Sequence, residues 1–344
     1  MNKDFLYELL NTDSVSGNEA DIEKKIYDYA HGFADTVSVD ELGNVTAAIN
    51  PDSNFKVLIT GHADEIGLMV TAVTDEGMLR VTKIGGVYIS TYPGHKVKIH
   101  TENGPVYGAV VNTRALSENK DIKSRDLYID IGAKNKDDAL KYISLGDTVN
   151  FDTGVRELKN NIITARAIDD RVGAFIVMEA LKLAKGRTHV GVYAAATTGE
   201  ETTTNGAYFT ASRVKPNIAI AVDVTYATDY PGVDKADTGD ICVGGGAVIC
   251  NNPSIHKKLN KLLIKAAESS GIKYQIEAAN GHTGTDGDVM HKTGIGVPFA
   301  LVSIPLRYMH CPAEVGSLDD VEACIRLLAK FISELNENIS LKPF

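Results

Sequence analysis

The chain has 344 residues, of which 44% are hydrophobic and 23% charged, with a formal net charge of -10. This length suits a large α/β domain plus a smaller one, the composition is that of a globular protein with ample material for a core, and the acidity argues against a nucleic-acid partner, which calls for a basic face. No apolar run of about 18 residues is present to span a membrane, and the four cysteines, Cys242, Cys250, Cys311 and Cys324, fit neither a zinc-finger nor a disulfide scaffold, so the expected location is a reducing cytoplasm.

The N-terminal segment Met1 to Leu10 interrupts its apolar residues with charges at helical spacing, Phe5, Leu6, Leu9 and Leu10 sharing a face. It reads as a helix of the mature protein and not as a signal peptide. A second helix carries Ile22, Ile26, Tyr29 and Ala30 after the break at Ser16-Gly17-Asn18. Val37 to Asn50 alternates weakly around the hairpin-type turn Gly43-Asn44. Val57-Leu58-Ile59 is a short apolar strand running into Gly61-His62.

From about Met69 to Ile163, short alternating runs punctuated by glycine replace this pattern, with only Lys136 to Tyr142 helical, as expected of a β-rich insertion. After Asp170 the α/β rhythm returns. Val172 to Ala184 is an apolar helix, Val190 to Ala196 and Ile218 to Val222 are buried strands, His256 to Ser270 is a helix stopped by Gly271, and Val297 to Ile304 is a strand. The last helix starts at Ser317, which with Asp320 fits a capping box, and runs to about Leu335. Alternating strands and helices predict a largely parallel sheet with ligands near the carboxyl ends of its strands.

Those strand ends carry the chemistry. The strand at Val57 leads to His62-Ala63-Asp64-Glu65, the one through Ala196 to Gly199-Glu200-Glu201, the one at Ile218 to Asp223, and the one ending near Ile304 to His310. Ala167-Ile168-Asp169-Asp170-Arg171 stands where the insertion rejoins the main sheet. Each pair alone has a bland reading: a core histidine pair, a solvated helix start favoured by the dipole, or a surface ion cluster. Taken together at the ends of parallel strands they can converge, and two histidines among several carboxylates suit zinc, cobalt or manganese better than calcium. In extended chain His62 and Asp64 point the same way, so the carboxylate can orient the imidazole. Adjacent Glu200 and Glu201 diverge, so one could bind metal while the other acts as general base.

In this order the segments resemble metallopeptidase family 42, the tetrahedral and glutamyl aminopeptidases, some of whose members are labelled endoglucanases. The likeness rests on Gly61 to Gly67, Ala167 to Gly173, Gly199-Glu200-Glu201, the strand into Asp223, and Ile304 to His310; it extends to Gly284-Thr285-Asp286 and His291, and runs over nearly the whole chain.

The resemblance implies a mixed, largely parallel α/β sheet flanked by helices, of the dinuclear zinc-peptidase type, with an inserted small β-barrel-like domain. Residues 1–68 and 164–344 would be catalytic and 69–163 the oligomerisation domain. It also implies two divalent cations per chain, zinc or cobalt before manganese. Asp169 would bridge them, His62 and Asp223 would complete one site, and Glu201 and His310 the other. Glu200 would be the general base and Asp64 the carboxylate orienting His62. The partners would be peptides with a free N-terminus and further copies of the chain, up to a tetrahedral dodecamer, without nucleic acid or membrane.

His282, Thr285 and Asp286, in the loop Asn280 to Asp286, are candidates to line the substrate pocket. Thr202-Thr203-Thr204-Asn205, Val87 to Tyr92 and Asn112 to Lys123 depart from the family's usual runs, which bears on substrate preference and assembly. Two further readings use the same residues, a metal-dependent deacylase of N-acyl amino acids and a non-catalytic binding or assembly relative. A glycosidase needs two carboxyl groups flanking the sugar bond and would leave the histidines without a role.

Overall fold

The computed structural model describes every residue except Lys120, Asp237 and Pro343. Its centre is an eight-stranded sheet in the order Thr36–Val39, Val45–Ile49, Gly191–Thr197, Lys56–His62, Ile218–Tyr226, Phe299–Leu306, Ala247–Asn251, Tyr274–Ala278. The strands from Gly191–Thr197 to Phe299–Leu306 run parallel, with antiparallel joins to Val45–Ile49 and Ala247–Asn251 on either side. The strand Lys56–His62 shows why the chain folds this way. Val57 and Ile59 enter one core with the helices Ile168–Ala184 and Leu318–Glu334, while Leu58 enters a second core with Ala207, Ala211 and Met290 on the opposite face. A strand covered on both faces reads as a continuous apolar run.

The inserted segment closes into a barrel of six strands, ordered Gly67–Val73, Leu79–Ile84, Tyr128–Asp130, Gly104–Val110, Lys96–Thr101 and Thr148–Phe151. It has its own core, including Leu68, Val70, Tyr92, Val97, Ile99 and Val149. Closure pairs every strand on both sides and removes the exposed edges of an open sheet. On its way back, the chain forms a three-stranded sheet of Arg156–Glu157, Ile162–Ala165 and Glu314–Ser317, in which Ala165 lies opposite Glu314.

Two local expectations change. Helix Lys136–Ala139 is one turn and buries only Ala139, and a second short helix, Arg114–Glu118, occupies part of the insertion read without one. Ser317 caps the last helix through the N–H of Asp319, but Asp320 completes no capping box. Its carboxylate accepts the N–H groups of Gly244 and Gly246, both at 2.7 Å, and so ties the helix start to the turn before Ala247–Asn251.

Strand Lys56–His62 and helix Ile168–Ala184 meet backbone to backbone at Gly61 and Gly173. A β-carbon on Gly61 would lie 2.3 Å from the carbonyl carbon of Gly173, so either the helix must retreat or His62 must shift. Gly61→Ala is therefore expected to destabilise the protein by roughly 2 kcal/mol or more in denaturant unfolding; a wild-type midpoint would show that the approach is not tight.

Candidate active site

The carboxyl edge of the parallel strands brings His62, Asp64, Asp169, Glu200, Glu201, Asp223 and His310 into one cluster. Asp169 lies at its centre: Oδ1 is 3.2 Å from His62 Nε2 and Oδ2 is 3.1 Å from His310 Nε2. Glu201 Oε1 is 3.5 Å from His310 Nε2, and Glu200 Oε2 is 3.8 Å from His62 Nε2. The donor atoms of His62, Asp170 and Asp223 lie within 4.8 Å of one another, as do those of His62, Asp169 and Glu201. Each imidazole is oriented from behind. His62 Nδ1 faces the carbonyl oxygen and Oδ1 of Asp64 at 3.1 and 3.2 Å, and His310 Nδ1 is 3.0 Å from the carbonyl of Gly86.

Three buried carboxylates around the cluster accept two backbone N–H groups each. Asp64 takes those of Glu200 and Glu201 at 3.0 and 3.2 Å. Asp170 takes those of His62 and Gly173 at 3.2 and 3.0 Å. Glu314 takes those of Asp169 and His310 at 3.2 and 2.8 Å. His310 has φ +63°, a left-handed conformation costly for a non-glycine residue, and Glu314 holds its N–H in place. Sequence reasoning assigned no role to Glu314 or Asp170. Their signals were a carboxylate four residues past His310 and the doubled aspartate at 169–170, neither of which says that the partner is backbone.

The loop candidates divide. Asp286 is buried beneath the cluster, where Oδ2 accepts the Thr197 hydroxyl at 2.7 Å and Oδ1 has no hydrogen-bond partner. Thr285 is buried, with its hydroxyl 2.8 Å from that of Thr283. His282 does not join them: its side chain is 86% exposed and 3.6 Å from Asp288. His291 stacks on Phe299 at the far end of the strand that leads to His310.

The charges define what the site can hold. Among the described residues no lysine or arginine ion-pairs with Asp64, Asp169, Asp170, Glu200, Glu201, Asp223 or Asp286. Burial, with Asp223 and neighbouring acids, pushes the Glu200 carboxyl well up, and burial with Asp169 raises Glu201 to about 8. Burial works against charge on Asp169 too, yet hydrogen bonds with His310 and His62 hold it well below the usual carboxylate range. His310 rises to about 9, since Asp169 and Glu201 outweigh its burial. A buried anionic cluster with two imidazoles, an orphaned carboxylate oxygen and, among the described residues, no lysine or arginine paired to it fits divalent cations.

Comparison with known proteins agrees with this chemistry. A family model described as M42 glutamyl aminopeptidase matches residues 43–327. The lysyl aminopeptidase of Pyrococcus furiosus is 31% identical, across 96% of this chain and 97% of its own. An aminopeptidase from the archaeon Desulfurococcus kamchatkensis superposes with a TM-score of 0.91 at 33% identity, covering 96% of this chain and 94% of its own. The TET1 peptidase of Pyrococcus horikoshii, described as able to assemble into a tetrahedron or a large octahedral shell, superposes at 0.86 with 31% identity, covering 96% of this chain and 99% of its own.

Raised proton affinities fix the sign of a pH effect. Glu201 favours the folded state while protonated, fully below pH 4.5 and no longer above about 8; His310 does so fully below 6.5 and no longer above about 9. Chelator-stripped protein is thus expected to lose thermal stability from pH 6.5 to 9, whereas cation-loaded protein, with these groups already deprotonated, is not. Scanning calorimetry at fixed ionic strength reads the difference, and a midpoint that rises for stripped protein over this window would contradict it.

Proposed function

The chain belongs to the M42 glutamyl aminopeptidase family, and from that premise we propose that it removes the N-terminal residue of peptides at a dinuclear metal site with Glu200 as general base. His62, Asp169, Glu201, Asp223 and His310 would hold the two cations, Asp169 between them. The observation that carries this reading is the Asp169 carboxylate, whose two oxygens face two different imidazoles at 3.2 and 3.1 Å. Nitrogen and carboxylate donors of this kind suit zinc, cobalt or manganese. When bound, the cations supply the positive charge that acidifies the attacking water and polarises the scissile carbonyl.

The side chains do the rest. Glu200 takes the water's proton at a carboxylate oxygen and returns it to the departing amine. Burial and neighbouring acids raise its proton affinity, and bound cations would oppose that rise and keep the carboxylate ionised to accept the proton. Asp64, by accepting the N–H groups of both glutamates, keeps Glu200 and Glu201 pointing in different directions. A free substrate α-amino group held at the cation site would confine cleavage to the first peptide bond. Glu200→Gln is expected to lower kcat by roughly 10²- to 10⁴-fold while metal content, read by elemental analysis, stays at two per chain. Wild-type turnover would rule out this base. Cleavage of N-blocked but not free-amine substrates would instead favour a deacylase.

In the same reading, residues 1–68 and 164–344 are the catalytic unit, and 69–163 mediates assembly into a homo-oligomer as large as a dodecamer. Tyr107, Leu140, Tyr142 and Leu145 are large apolar residues left exposed on the inserted segment, and a relative of similar fold can assemble into a tetrahedron or a large octahedral shell. The unpaired cysteines accord with a cytoplasmic location, and no described helix is long and apolar enough to cross a membrane. Light scattering is expected to give a multiple of 36.9 kDa, reduced by Tyr142→Glu with Leu145→Glu; a wild-type monomer would refute assembly.

A further inference from the structure

Beyond the candidate ligands, the same sheet edge carries aromatic rings that the chemistry above does not use. Tyr226 ends the strand Ile218–Tyr226, three residues past Asp223, and lies in register with Leu306. Tyr308 follows on that neighbouring strand, two residues before His310. Tyr88 comes from the inserted segment, two residues after the Gly86 carbonyl that faces His310. Its hydroxyl is 3.5 Å from that of Tyr226, and its ring centroid is 6.2 Å from the imidazole of His310. Tyr230 meets Tyr308 edge to face at 5.1 Å. Tyr88, Tyr226 and Tyr308 are 47%, 43% and 45% exposed, so each keeps surface free for a ligand.

We propose that Tyr88, Tyr226, Tyr230 and Tyr308 form the subsite for the side chain of the substrate's first residue, and that it selects a large neutral side chain, aromatic or long aliphatic. The proposal rests on the aminopeptidase reading of the adjoining cluster. Ring faces and edges offer apolar area and favourable stacking to such a group. The charged side chains of the same segments are already committed: Arg307 Nε donates to Asp229 Oδ1 at 2.8 Å and Nη2 to Oδ2 at 2.5 Å. A glutamate side chain would find that guanidinium engaged. A lysine, despite the attraction of ring faces for cations, would find Asp229, the one carboxylate on the stretches 226–230, 306–310 and 86–92, already paired with Arg307. Either would lose part of its hydration against the rings without gaining a counter-ion. This sets the chain apart from the glutamyl preference in its family's description and the lysyl preference in the name of its Pyrococcus furiosus relative.

The test is kcat/KM of the cation-loaded enzyme on free-amine anilides of Phe, Leu, Ala, Glu and Lys. Phe and Leu are expected to exceed the other three by about tenfold or more. Tyr226→Ala should cut the Phe-to-Ala ratio by about the same factor, and Tyr226→Phe, which keeps the ring, should preserve it. Should Tyr226→Ala not fold or hold its cations, Tyr88→Ala reads the same ratio from the inserted segment. Faster cleavage of the Glu or Lys anilide, or a wild-type ratio in the alanine variants, overturns the subsite and leaves the aminopeptidase reading standing. No cleavage of any free-amine anilide by protein holding its cations would remove that reading, and the subsite with it.

Discussion

Much of this architecture follows from one electrostatic constraint, the burial of many carboxylates in a small volume with which, among the described residues, no lysine or arginine ion-pairs. Desolvating each charge costs several kcal/mol, so the surrounding chain must supply positive potential from other sources. Backbone N–H groups are the main one. Asp64, Asp170 and Glu314 each accept two of them, and in every case at least one donor belongs to a candidate ligand or to Glu200. These backbone-bound carboxylates thereby fix the segments that carry the candidate ligands. The two imidazoles that meet at Asp169 add to this, and in the proposed function bound cations would supply the rest.

A second buried charge cluster lies beside the first and is solved by the opposite means. Glu65 accepts from Arg166 and Arg171 at 2.5 Å each, and Asp13 pairs with Arg166 and, at 2.7 Å, with Lys98. Asn150 joins both acids at 2.9 and 3.1 Å. Burial opposes the charge on Glu65, but the two guanidinium groups outweigh it and hold the carboxyl below its ordinary value. Lys98 and Asn150 stand on barrel strands, whereas Arg166 and Arg171 bracket the turn carrying Asp169. This network seats the barrel on the sheet and keeps guanidinium groups engaged next to a cluster they would otherwise neutralise.

How much of this could be read beforehand depends on the range of each interaction. The strands were legible because burial on both faces turns them into apolar runs, as at Val57 to Ile59 and Ile218 to Val222. The convergence of the candidate residues was legible because each follows such a run or stands at a junction, and the parallel order brings the run ends to one edge. The clamps were not. Asp64 and Glu314 act on N–H groups distant in sequence, and a carboxylate in a string of letters does not announce a backbone partner. The capping box at Ser317 failed for the same reason, because Asp320 met better donors at Gly244 and Gly246 than its own helix offered.

The cluster is unevenly supported. His62 and Asp223 sit on central strands gripped on both sides, and a shift there would disturb the core. Glu201 and His310 sit on loops, and part of their support comes from the inserted segment. Gly86 accepts from or faces His310 at 3.0 Å, a β-carbon there would stand 2.7 Å from the imidazole, and one at Gly85 would approach Glu201 to 3.2 Å. Tyr88 follows within two residues. The turn after barrel strand Leu79–Ile84 is therefore a wall of the site, close enough to tolerate glycine alone. Whatever fixes the barrel also fixes the Glu201 and His310 half of the cluster and the aromatic rim beside it, so an assembly built through the barrel would bear on chemistry and side-chain selection while leaving the His62 and Asp223 half to the core.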